Sequence, residues 1–312
     1  MDIKGNPKMV AILIPVFNRL DYTQKCLIDL SENLSKYPED FYKIVVINDG
    51  SSDNTSEWIT KNFPSVELLQ GDGSLFWSGG INMGAKYAFY ENEFEYVLLW
   101  NNDITLHESY FDNLFRIIIE EKPQGIVGTK ILTLLDRNIV WSYGGYFNTK
   151  TGKCEMIGYF EQDNDSFKHK RDVDWCTGMG TLVNRHVVKK IGLWDQKLFP
   201  QYYGDIDFSY RAKIAGFPVS VDPTLIIYNE TSNTGLRAQE GLNILIRSLF
   251  SFKSNICIRK NVAFLKRHST SRLSYIYLFF FYIKVFFGYF KWRILHIMGI
   301  RRKIEKFYNT NL

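Results

Sequence analysis

The sequence has few cysteines and little of the composition that marks fibrous or disordered proteins. Its 312 residues include 4 Cys and 8 Pro, and the cysteines form no CxxC pair. This argues against a zinc module or a disulfide scaffold and favours a reducing compartment. Hydrophobic residues make up 46% and charged residues 23%, which excludes a disordered chain and allows a large core. At about 150 residues per domain, the length predicts two domains or one large one.

Several common catalytic motifs are also missing. The turn after the first predicted strand, Asn18-Arg19-Leu20, is not a GxGxxG loop, so a dinucleotide-binding domain is not expected. No P-loop, GxSxG elbow or HExxH helix occurs, and the histidines lack metal-ligand spacing. The N-terminal residues have neither the apolar stretch nor the cleavage site of a signal peptide, so we expect none. The remaining candidate chemistry is that of carboxylates.

Charge is distributed unevenly along the chain. From Leu236 to the C terminus there are 15 Lys and Arg but 2 Asp and Glu, whereas the preceding residues carry a net negative charge. Residues 273–290 contain ten aromatic residues and one charge, Lys284. A basic tail favours the phosphates of nucleic acid or of anionic lipid, and the aromatic content favours lipid over nucleic acid.

We therefore expect a helix that lies in the headgroup plane of a membrane. The residues expected to hold it there are Arg272, Lys284, Lys291, Trp292 and Arg293. A spanning helix needs about 20 apolar residues, and this run has 18 with a lysine inside it. The alternatives are a true span and a buried helix of a C-terminal subdomain. The expected location is cytoplasmic and peripheral, at the inner face of the cell membrane.

The first hundred residues alternate between apolar runs of strand length and helical patterns. The predicted strands are Ala11–Phe17, Lys43–Ile47, Val66–Leu69 and Tyr96–Trp100. This alternation predicts an α/β layer with a parallel sheet. Farther along, we expect a helix at Asn184–Ile191 and two short strands at Val219–Val221 and Leu225–Tyr228. The predicted domains are 1–235 and a basic, aromatic-rich helical segment, 236–312.

Polar side chains follow three of the predicted strands. Asn18, Asp49 and Asp103 stand at strand ends, where ligands of such sheets bind. Asp103 is the best metal candidate, because Mg²⁺ or Mn²⁺ is typically held by one or two carboxylates together with substrate phosphates. The alternative for Asp103 and for Asp49 is an Asx turn that closes the strand.

Two further carboxylates, Asp205 and Asp207, stand near a predicted helix start among aromatic residues. Asp205 is the best candidate for a general base that takes a proton from a hydroxyl group. The alternative is that one of the two caps the helix, and an ion pair of Asp207 with Arg211 is the simplest account of that spacing.

Taken in chain order, these segments resemble glycosyltransferase family 2, whose members have the GT-A nucleotide-sugar-binding fold. The resemblance covers about residues 9–235 and is carried by Ile14–Arg19, Asn48–Thr55, Gly79–Gly84, Asn101–Asp103 and Asp205–Asp207. The pattern Gly73, Trp77, Gly80, Asn82 is similar to bacterial members that add rhamnose or galactofuranose to cell-surface glycans. Two departures are Gly204, where the family usually has an acidic residue, and Tyr228-Asn229-Glu230, where many relatives carry a histidine, sometimes as a metal ligand. Either Glu230 or Asn229 replaces that histidine, or Asp103 and the diphosphate alone hold the metal.

The resemblance implies an inverting glycosyltransferase in bacterial cell-surface glycan synthesis. It would move a sugar from a UDP- or dTDP-sugar to a hydroxyl of a lipid-linked or polysaccharide acceptor, with Asp205 as base and Asp103 holding Mg²⁺ or Mn²⁺. The residues implied at the nucleotide are Pro15, Val16, Asn18, Asp49, Gly79, Gly80, Asn82 and Asn102. Those implied at the sugar or acceptor are Trp77, Trp175, Gly178, Tyr203 and Asp207, with core packing as the alternative for the aromatic residues.

Three rival functions differ in class. A sugar-1-phosphate nucleotidyltransferase of the same fold is disfavoured, since its Gly-rich basic loop after the first strand is absent. A non-catalytic nucleotide-sugar or glycan-binding protein of the same fold is the alternative that Gly204 and the missing histidine favour. A nucleic-acid-binding protein would use the basic tail.

Overall fold

A computed structural model describes residues 9–230 and 241–297 of the chain. The apolar runs become buried strands, because each run is long enough to cross a sheet and is flanked by turn-forming residues. The strands are β1 (Val10–Val16), β2 (Tyr42–Asn48), β3 (Glu67–Gln70), β4 (Tyr96–Leu99), β5 (Ile104–Leu106), β6 (Ile126–Thr133), β7 (Ile139–Ser142), β8 (Gly145–Phe147), β9 (Cys154–Met156), β10 (Glu161–Gln162), β11 (Arg171–Asp172), β12 (Thr181–Asn184) and β13 (Val219–Asn229).

The helices alternate with the strands in the N-terminal half, as the periodicity predicts. They are α1 (Leu20–Leu34), α2 (Thr55–Asn62), α3 (Phe76–Lys86), α4 (Tyr110–Arg116), α5 (Arg185–Ile191), α6 (Gly204–Ile214), α7 (Leu242–Phe250), α8 (Ile258–His268) and α9 (Leu273–Ile297). The predicted four N-terminal strands and the helices between them are confirmed, with boundaries shifted by a few residues.

The main sheet is mixed, with its parallel part at the N-terminal end of the chain. Its order is β10-β7-β6-β12-β4-β1-β2-β3, and β13 pairs with β6, β5 and β11. β1 runs parallel to β2 and β4, and β2 parallel to β3, whereas β12 lies antiparallel between β4 and β6. The expected α/β layer is therefore confirmed, and the carboxyl ends of β1, β2 and β4 share one edge of the sheet.

Helices cover both faces of this sheet. On one face Leu13 of β1 packs in a cluster with Ile81 and Ala85 of α3. On the other face Ile12 of β1 packs in a cluster with Leu27 of α1. Because neighbouring residues of a strand point to opposite faces, a strand buried on both sides is apolar throughout. This is why β1 appears in the sequence as an unbroken apolar run.

Two expectations for the second half of the domain need correction. The sequence pattern did not predict β12, a four-residue strand that ends at Asn184; the side chain of Asn184 then caps α5 by accepting the backbone N–H of His186 at 2.8 Å. The two short strands expected at 219–228 are one strand, β13, with a register shift between Asp222 and Ile226. Pro223 lies within this irregularity and has no backbone N–H to contribute to the ladder, so the break is local.

The described residues form two units. The first comprises residues 9–146 and 156–230, and the second comprises 147–155 and 241–297. The predicted boundary between 235 and 236 lies outside the described residues. A single boundary cannot express this division, since the short segment Phe147–Glu155 belongs to the second unit although the chain on either side of it belongs to the first.

The second unit is built from α7, α8, α9 and the segment 147–155. The rings of Phe147 and Phe264 meet edge to face with centroids 5.1 Å apart. The carbonyl of Thr149 accepts the backbone N–H of Thr270 at 2.9 Å. Asn261 on α8 donates to the hydroxyl of Tyr282 on α9 at 2.7 Å. These contacts hold the start of α9 against the rest of its unit.

Most of α9 is exposed. Residues Leu273–Leu295 are long and apolar enough to cross a membrane by length and composition, and 11% of the most apolar window of this helix is buried. That fraction is too small for a core helix, so the buried-helix alternative does not describe it. The side chains of Arg272, Lys284, Lys291 and Arg293 are exposed, and the side chain of Trp292 lies outside the described part.

The start of α1 depends on a side chain from another loop. Asp53 accepts the backbone N–H of Leu20 at 2.9 Å and the hydroxyl of Thr55 at 2.5 Å, whereas α1 has no side-chain cap from its own flanking residues. Burial by itself would raise the pKa of Asp53, but the hydrogen bonds from Thr55 and Leu20 outweigh it and lower the pKa below its usual value.

We expect Asp53→Ala to lower the free energy of unfolding by about 1 kcal/mol at pH 7, as for other lost helix caps. A lowered folded-state pKa adds stability above the usual Asp pKa of about 4, and this stability disappears as the pH falls through the folded-state value. The difference from the wild-type protein should therefore shrink in acid. Urea denaturation at several pH values measures it, with Asp40→Ala at an exposed turn as the control. Equal effects of the two variants would contradict the cap.

Candidate functional site

The carboxyl end of β1 is held by the loop that follows β2. Asn18 accepts the backbone N–H of Ser52 at 2.8 Å, and its own N–H donates to the hydroxyl of Ser51 at 2.7 Å. The carbonyl of Val16 accepts the N–H of Asp49 at 2.9 Å, and Pro15 lies half-buried beside it. The structure thus brings these predicted nucleotide residues of β1 and β2 together at one edge.

Asp49 is buried and uses both carboxylate oxygens within the fold. Oδ1 accepts the N–H of Gly73 at 2.8 Å, and Oδ2 accepts the N–H of Phe76, the first residue of α3, at 3.0 Å. The turn interpretation and the ligand interpretation of Asp49 are compatible, because each carboxylate oxygen has a second lone pair. Asp49 therefore orients the start of α3 and leaves acceptor capacity at the edge of the sheet.

Three further residues predicted at the nucleotide make packing contacts along α3. A Cβ on Gly80 would stand 3.0 Å from the Cβ of Pro15, so glycine permits the close approach of α3 to β1. Gly79 lies beside Leu75 in the same way. Asn82 donates to the carbonyl of Trp194 at 2.9 Å and to the side chain of Gln196 at 2.8 Å. Both amide hydrogens of Asn82 are then in use, so it has none left for a phosphate.

The segment after β4 carries three polar side chains, and two of them make hydrogen bonds to different helices. Asn101 accepts the indole N–H of Trp77 at 3.1 Å, and Asn102 donates to the hydroxyl of Thr23 in the first turn of α1 at 3.0 Å. Asp103 is half-buried and precedes β5. Since Ile104 pairs with Asn229 of β13, the next pair outward along the two strands is Asp103 with Glu230.

Burial and two neighbouring charges shift the pKa of Asp103. Burial is the main cause that raises its pKa, Arg19 opposes the rise, and Glu230 adds to it. Among the described residues, no group of three His, Cys, Asp or Glu side chains is arranged to hold a metal ion. A hard divalent ion needs no such group when substrate phosphates complete its shell. The pair Asp103 and Glu230 fits that mode of binding.

Asp205 lies in the first turn of α6 with a fixed carboxylate. Its Oδ2 accepts the N–H of Gly178 at 3.0 Å, and its Oδ1 accepts the N–H of Ile206 at 2.9 Å. Tyr203, just before the helix, has a left-handed backbone with φ of 69°, and its ring is half-buried. The carboxylate is therefore oriented by backbone groups from two different segments.

Trp77 connects this carboxylate with the end of β4. A Cβ on Gly178 would stand 2.1 Å from a ring carbon of Trp77, so the indole ring lies directly on that glycine. The same ring donates its N–H to Asn101. Asn101, Trp77, Gly178 and Asp205 form one continuous chain of contacts, which spaces the base candidate from the metal candidate.

Asp207 has a different role from Asp205. It is fully buried and pairs with Arg211, whose Nε lies 2.8 Å from Oδ2. Arg211 also donates to the carbonyls of Ile191 and Leu193, each at 2.9 Å. The predicted ion pair is confirmed, and these contacts give Asp207 a structural role rather than one at the acceptor.

Trp175 lies in the core. It is 2% exposed, and its indole N–H points to the carbonyl of Tyr146 at 3.4 Å. The core-packing alternative therefore describes Trp175 better than a sugar-stacking role, whereas Trp77 and Tyr203 are only partly buried.

Gly204 has a packing reason. A Cβ at this position would stand 2.3 Å from the hydroxyl oxygen of Ser78, which is itself bonded to the carbonyl of Phe199 at 2.6 Å. A side chain at position 204 would require Ser78 to shift away from Phe199, so the approach of α3 to the segment before α6 favours glycine at this position.

The structure adds residues that the sequence patterns did not single out. Phe17, 56% exposed, and Arg19, also exposed, follow β1 at the same edge as Asn18. Gln201 accepts the backbone N–H of Trp77 at 3.3 Å. An exposed aromatic residue directly after a fully buried strand is the signal that would have indicated Phe17.

Comparisons with known proteins agree with this geometry. The family model for glycosyl transferase family 2 matches residues 11–192. The low-salt glycan biosynthesis hexosyltransferase Agl10 of Haloferax volcanii is 25% identical over 172 residues, which are 55% of this chain and 53% of that protein. A poly-beta-1,6-N-acetyl-D-glucosamine synthase of Staphylococcus aureus is 25% identical over 259 residues, 78% of this chain and 57% of that protein. The chain spans about half the length of these curated relatives.

Solved structures show the same fold. Residues 1–349 of S. aureus TarS in complex with UDP superpose with a TM-score of 0.52 and 16% identity, covering 83% of this chain and 71% of that one. A second crystal structure of TarS residues 1–349 gives a TM-score of 0.51 at 16% identity, with the same coverage of both chains. The expected GT-A fold is confirmed.

We expect Asp207→Asn to destabilise the protein by about 3 kcal/mol, because it leaves the charge of Arg211 without its buried partner. The exposed pair of Lys36 and Asp112 supplies the control: Asp112→Asn should cost less than about 1 kcal/mol. Denaturation midpoints of the two variants measure the difference. A loss for Asp207→Asn as small as for Asp112→Asn would show that the pair does not hold α6 in place.

Proposed function

The chain belongs to glycosyl transferase family 2, and we propose that it transfers a sugar, with inversion, from a UDP- or dTDP-sugar to a hydroxyl group. The proposed acceptor is a lipid-linked or polysaccharide glycan of a bacterial cell surface. The relatives named as a glycan-biosynthesis hexosyltransferase and a polysaccharide synthase support this class of reaction. The observation that carries the proposal is the oriented carboxylate of Asp205, held apart from Asp103 by Trp77.

Inversion in a single displacement needs a base on the face of the sugar opposite the leaving group. Asp205 supplies it: the N–H groups of Gly178 and Ile206 each hold one oxygen and leave further lone pairs for the acceptor hydroxyl. The hydroxyl gives its proton to Asp205 as its oxygen attacks the anomeric carbon.

The nucleotide occupies the shared edge of β1, β2 and β4 in this proposal. Asn18 and Asp49 bind the nucleoside beside Pro15 and Val16, since these residues already form one hydrogen-bonded surface. Asn102 fixes the loop after β4 to α1. The bond that breaks joins the anomeric carbon to the diphosphate, which leaves with the bonding electron pair.

Mg²⁺ or Mn²⁺ would be held by Asp103 and Glu230, and it would supply charge neutralisation for the leaving diphosphate. Asn229 lies next to Glu230, and its buried side-chain nitrogen has no hydrogen-bond partner among the described residues.

The contact of Gly204 with Ser78 gives a packing reason for glycine at this position, so the absence of an acidic residue there does not favour a binding-only protein.

Thermal shift with a set of nucleotide sugars tests the function. A ligand that binds the native state raises the melting temperature by mass action. We expect a shift with UDP- or dTDP-sugars that grows when Mn²⁺ is added. A shift independent of Mn²⁺ would remove the metal from the proposal, and no shift with any donor would contradict the function itself.

We expect Asp205→Asn to lower kcat by about 10²- to 10⁴-fold, the usual contribution of a general base, without changing nucleotide affinity. The control is Asp165→Asn, whose carboxylate lies on an exposed turn and pairs with Lys168. Transfer assays and nucleotide titrations separate chemistry from binding. Full activity of Asp205→Asn would remove Asp205 from the role of base.

We further propose that the second unit attaches the protein to the cytoplasmic face of an anionic membrane. Along α9, Phe279 and Phe287 are 63% and 71% exposed. On α7, Leu242, Ile246 and Phe250 form an exposed apolar row at four-residue spacing. Exposed aromatic residues with flanking lysine and arginine are typical of helices that lie in the headgroup layer. Such attachment would bring the enzyme to a lipid-linked acceptor.

We expect the double variant Phe279→Asp, Phe287→Asp to bind phosphatidylglycerol vesicles at least tenfold more weakly, because each buried Phe side chain contributes about 1.5–3 kcal/mol. Tyr90→Asp, at an exposed aromatic position of the first unit, is the control. Vesicle sedimentation measures the difference, and extraction by alkaline carbonate distinguishes a surface helix from a spanning one. Unchanged vesicle binding would show that α9 is not the attachment.

A further inference from the structure

Arg19 stands at the junction of β1 and α1 in an unusual backbone. Asn18 and Arg19 both have positive φ, 55° and 59°, which is uncommon for residues other than glycine. The loop after β2 holds this turn in place with two hydrogen bonds: the N–H of Ser52 donates to the side chain of Asn18, and Asp53 accepts the N–H of Leu20. Such conformations cost free energy and are concentrated at functional sites.

The guanidinium of Arg19 is itself held in place. Its central carbon lies 3.6 Å from the centre of the Tyr22 ring, in the first turn of α1. Stacking engages the flat face of a guanidinium and leaves the N–H groups at its edge free to point outward. Arg19 is exposed, so these donors face solvent at the edge of the sheet.

The same corner contains the carboxylates of Asp103 and Glu230. The bond from Asn102 to Thr23 places the loop after β4 against the first turn of α1, one turn from Arg19. Asp103 lies in that loop, and Glu230 lies opposite it, one pair beyond Ile104 and Asn229. The ends of β1, β4 and β13 thus present one cation, Arg19, and two carboxylates, Asp103 and Glu230. One divalent ion added to this set would leave a net positive charge, which suits a bound diphosphate.

We propose that Arg19 binds the diphosphate of the donor and of the leaving nucleoside diphosphate through the outer N–H groups of its guanidinium. This inference rests on the proposed function and adds a residue to it. A planar guanidinium matches two phosphate oxygens at once, which a point charge does not. The rigid turn and the Tyr22 ring reduce the entropy lost when the diphosphate binds.

Binding of fragments tests this role without relying on turnover. UDP and dTDP carry the diphosphate, whereas uridine and thymidine lack it, so calorimetric titration of the full chain with each pair isolates the diphosphate contribution. We expect Arg19→Met to weaken binding of the preferred diphosphate by at least tenfold and binding of the matching nucleoside by less than twofold, with and without Mn²⁺. Arg19→Lys keeps the positive charge but loses the planar pair of N–H donors, so its affinity for the diphosphate should lie between those of the wild-type protein and Arg19→Met.

The matched control is Arg137→Met. Arg137 is also exposed and stacked on an aromatic ring, 4.3 Å from the centre of Tyr228, but has no part in the proposed site. It should leave all four affinities unchanged, and melting curves of each variant check that the fold is intact. Equal losses for diphosphate and nucleoside, or no loss for either, would overturn the role of Arg19 alone. A wild-type protein that binds neither diphosphate would overturn the proposed function as well.

Discussion

The close approach of α3 to the sheet is the constraint on which the rest of the site depends. Gly80 lets the helix lie directly on Pro15 of β1, and Asp49 fixes its first turn through the N–H of Phe76. With α3 in that position, Trp77 reaches Asn101 on one side and Gly178 on the other. A side chain at position 80 would press on the Pro15 ring, with its Cβ 3.0 Å from the Cβ of Pro15, so α3 and β1 would have to move slightly apart.

Side chains of α3 make hydrogen bonds to the backbone of the segment that precedes α6. Ser78 binds the carbonyl of Phe199, and Asn82 binds both the N–H and the carbonyl of Trp194. These bonds anchor the irregular segment before α6, which has no ladder of its own to satisfy its backbone groups. The position of Asp205 therefore depends on α3 twice, through Trp77 on Gly178 and through Ser78 before α6.

Charge separates the two units as clearly as contacts do. The first unit contains most of the acidic residues of the described chain, among them Asp103 and Glu230. Burial and Glu230 raise the pKa of Asp103, and Arg19 lowers it. The second unit has exposed apolar rows flanked by basic residues. An acidic body and a basic, aromatic-rich unit suit a protein that would hold phosphates by cations at its site and by lysine and arginine at a lipid surface.

The sequence by itself determined the α/β layer, because apolar runs and helical periods are local patterns, and it determined which polar residues end β1, β2 and β4. It also predicted the ion pair of Asp207 with Arg211, since that spacing is a local rule, although the resemblance implied a place for Asp207 at the acceptor. Only the tertiary structure decided which of the candidate residues already use their polar groups or side chains in packing and hydrogen bonds within the fold. Asn82, Gly80 and Trp175 belong to packing, whereas Glu230 lies opposite Asp103 and Arg19 stacks on Tyr22 at the end of β1. These distinctions depend on which segments meet across the sheet, and contacts between residues far apart in the chain leave no periodic signal in it.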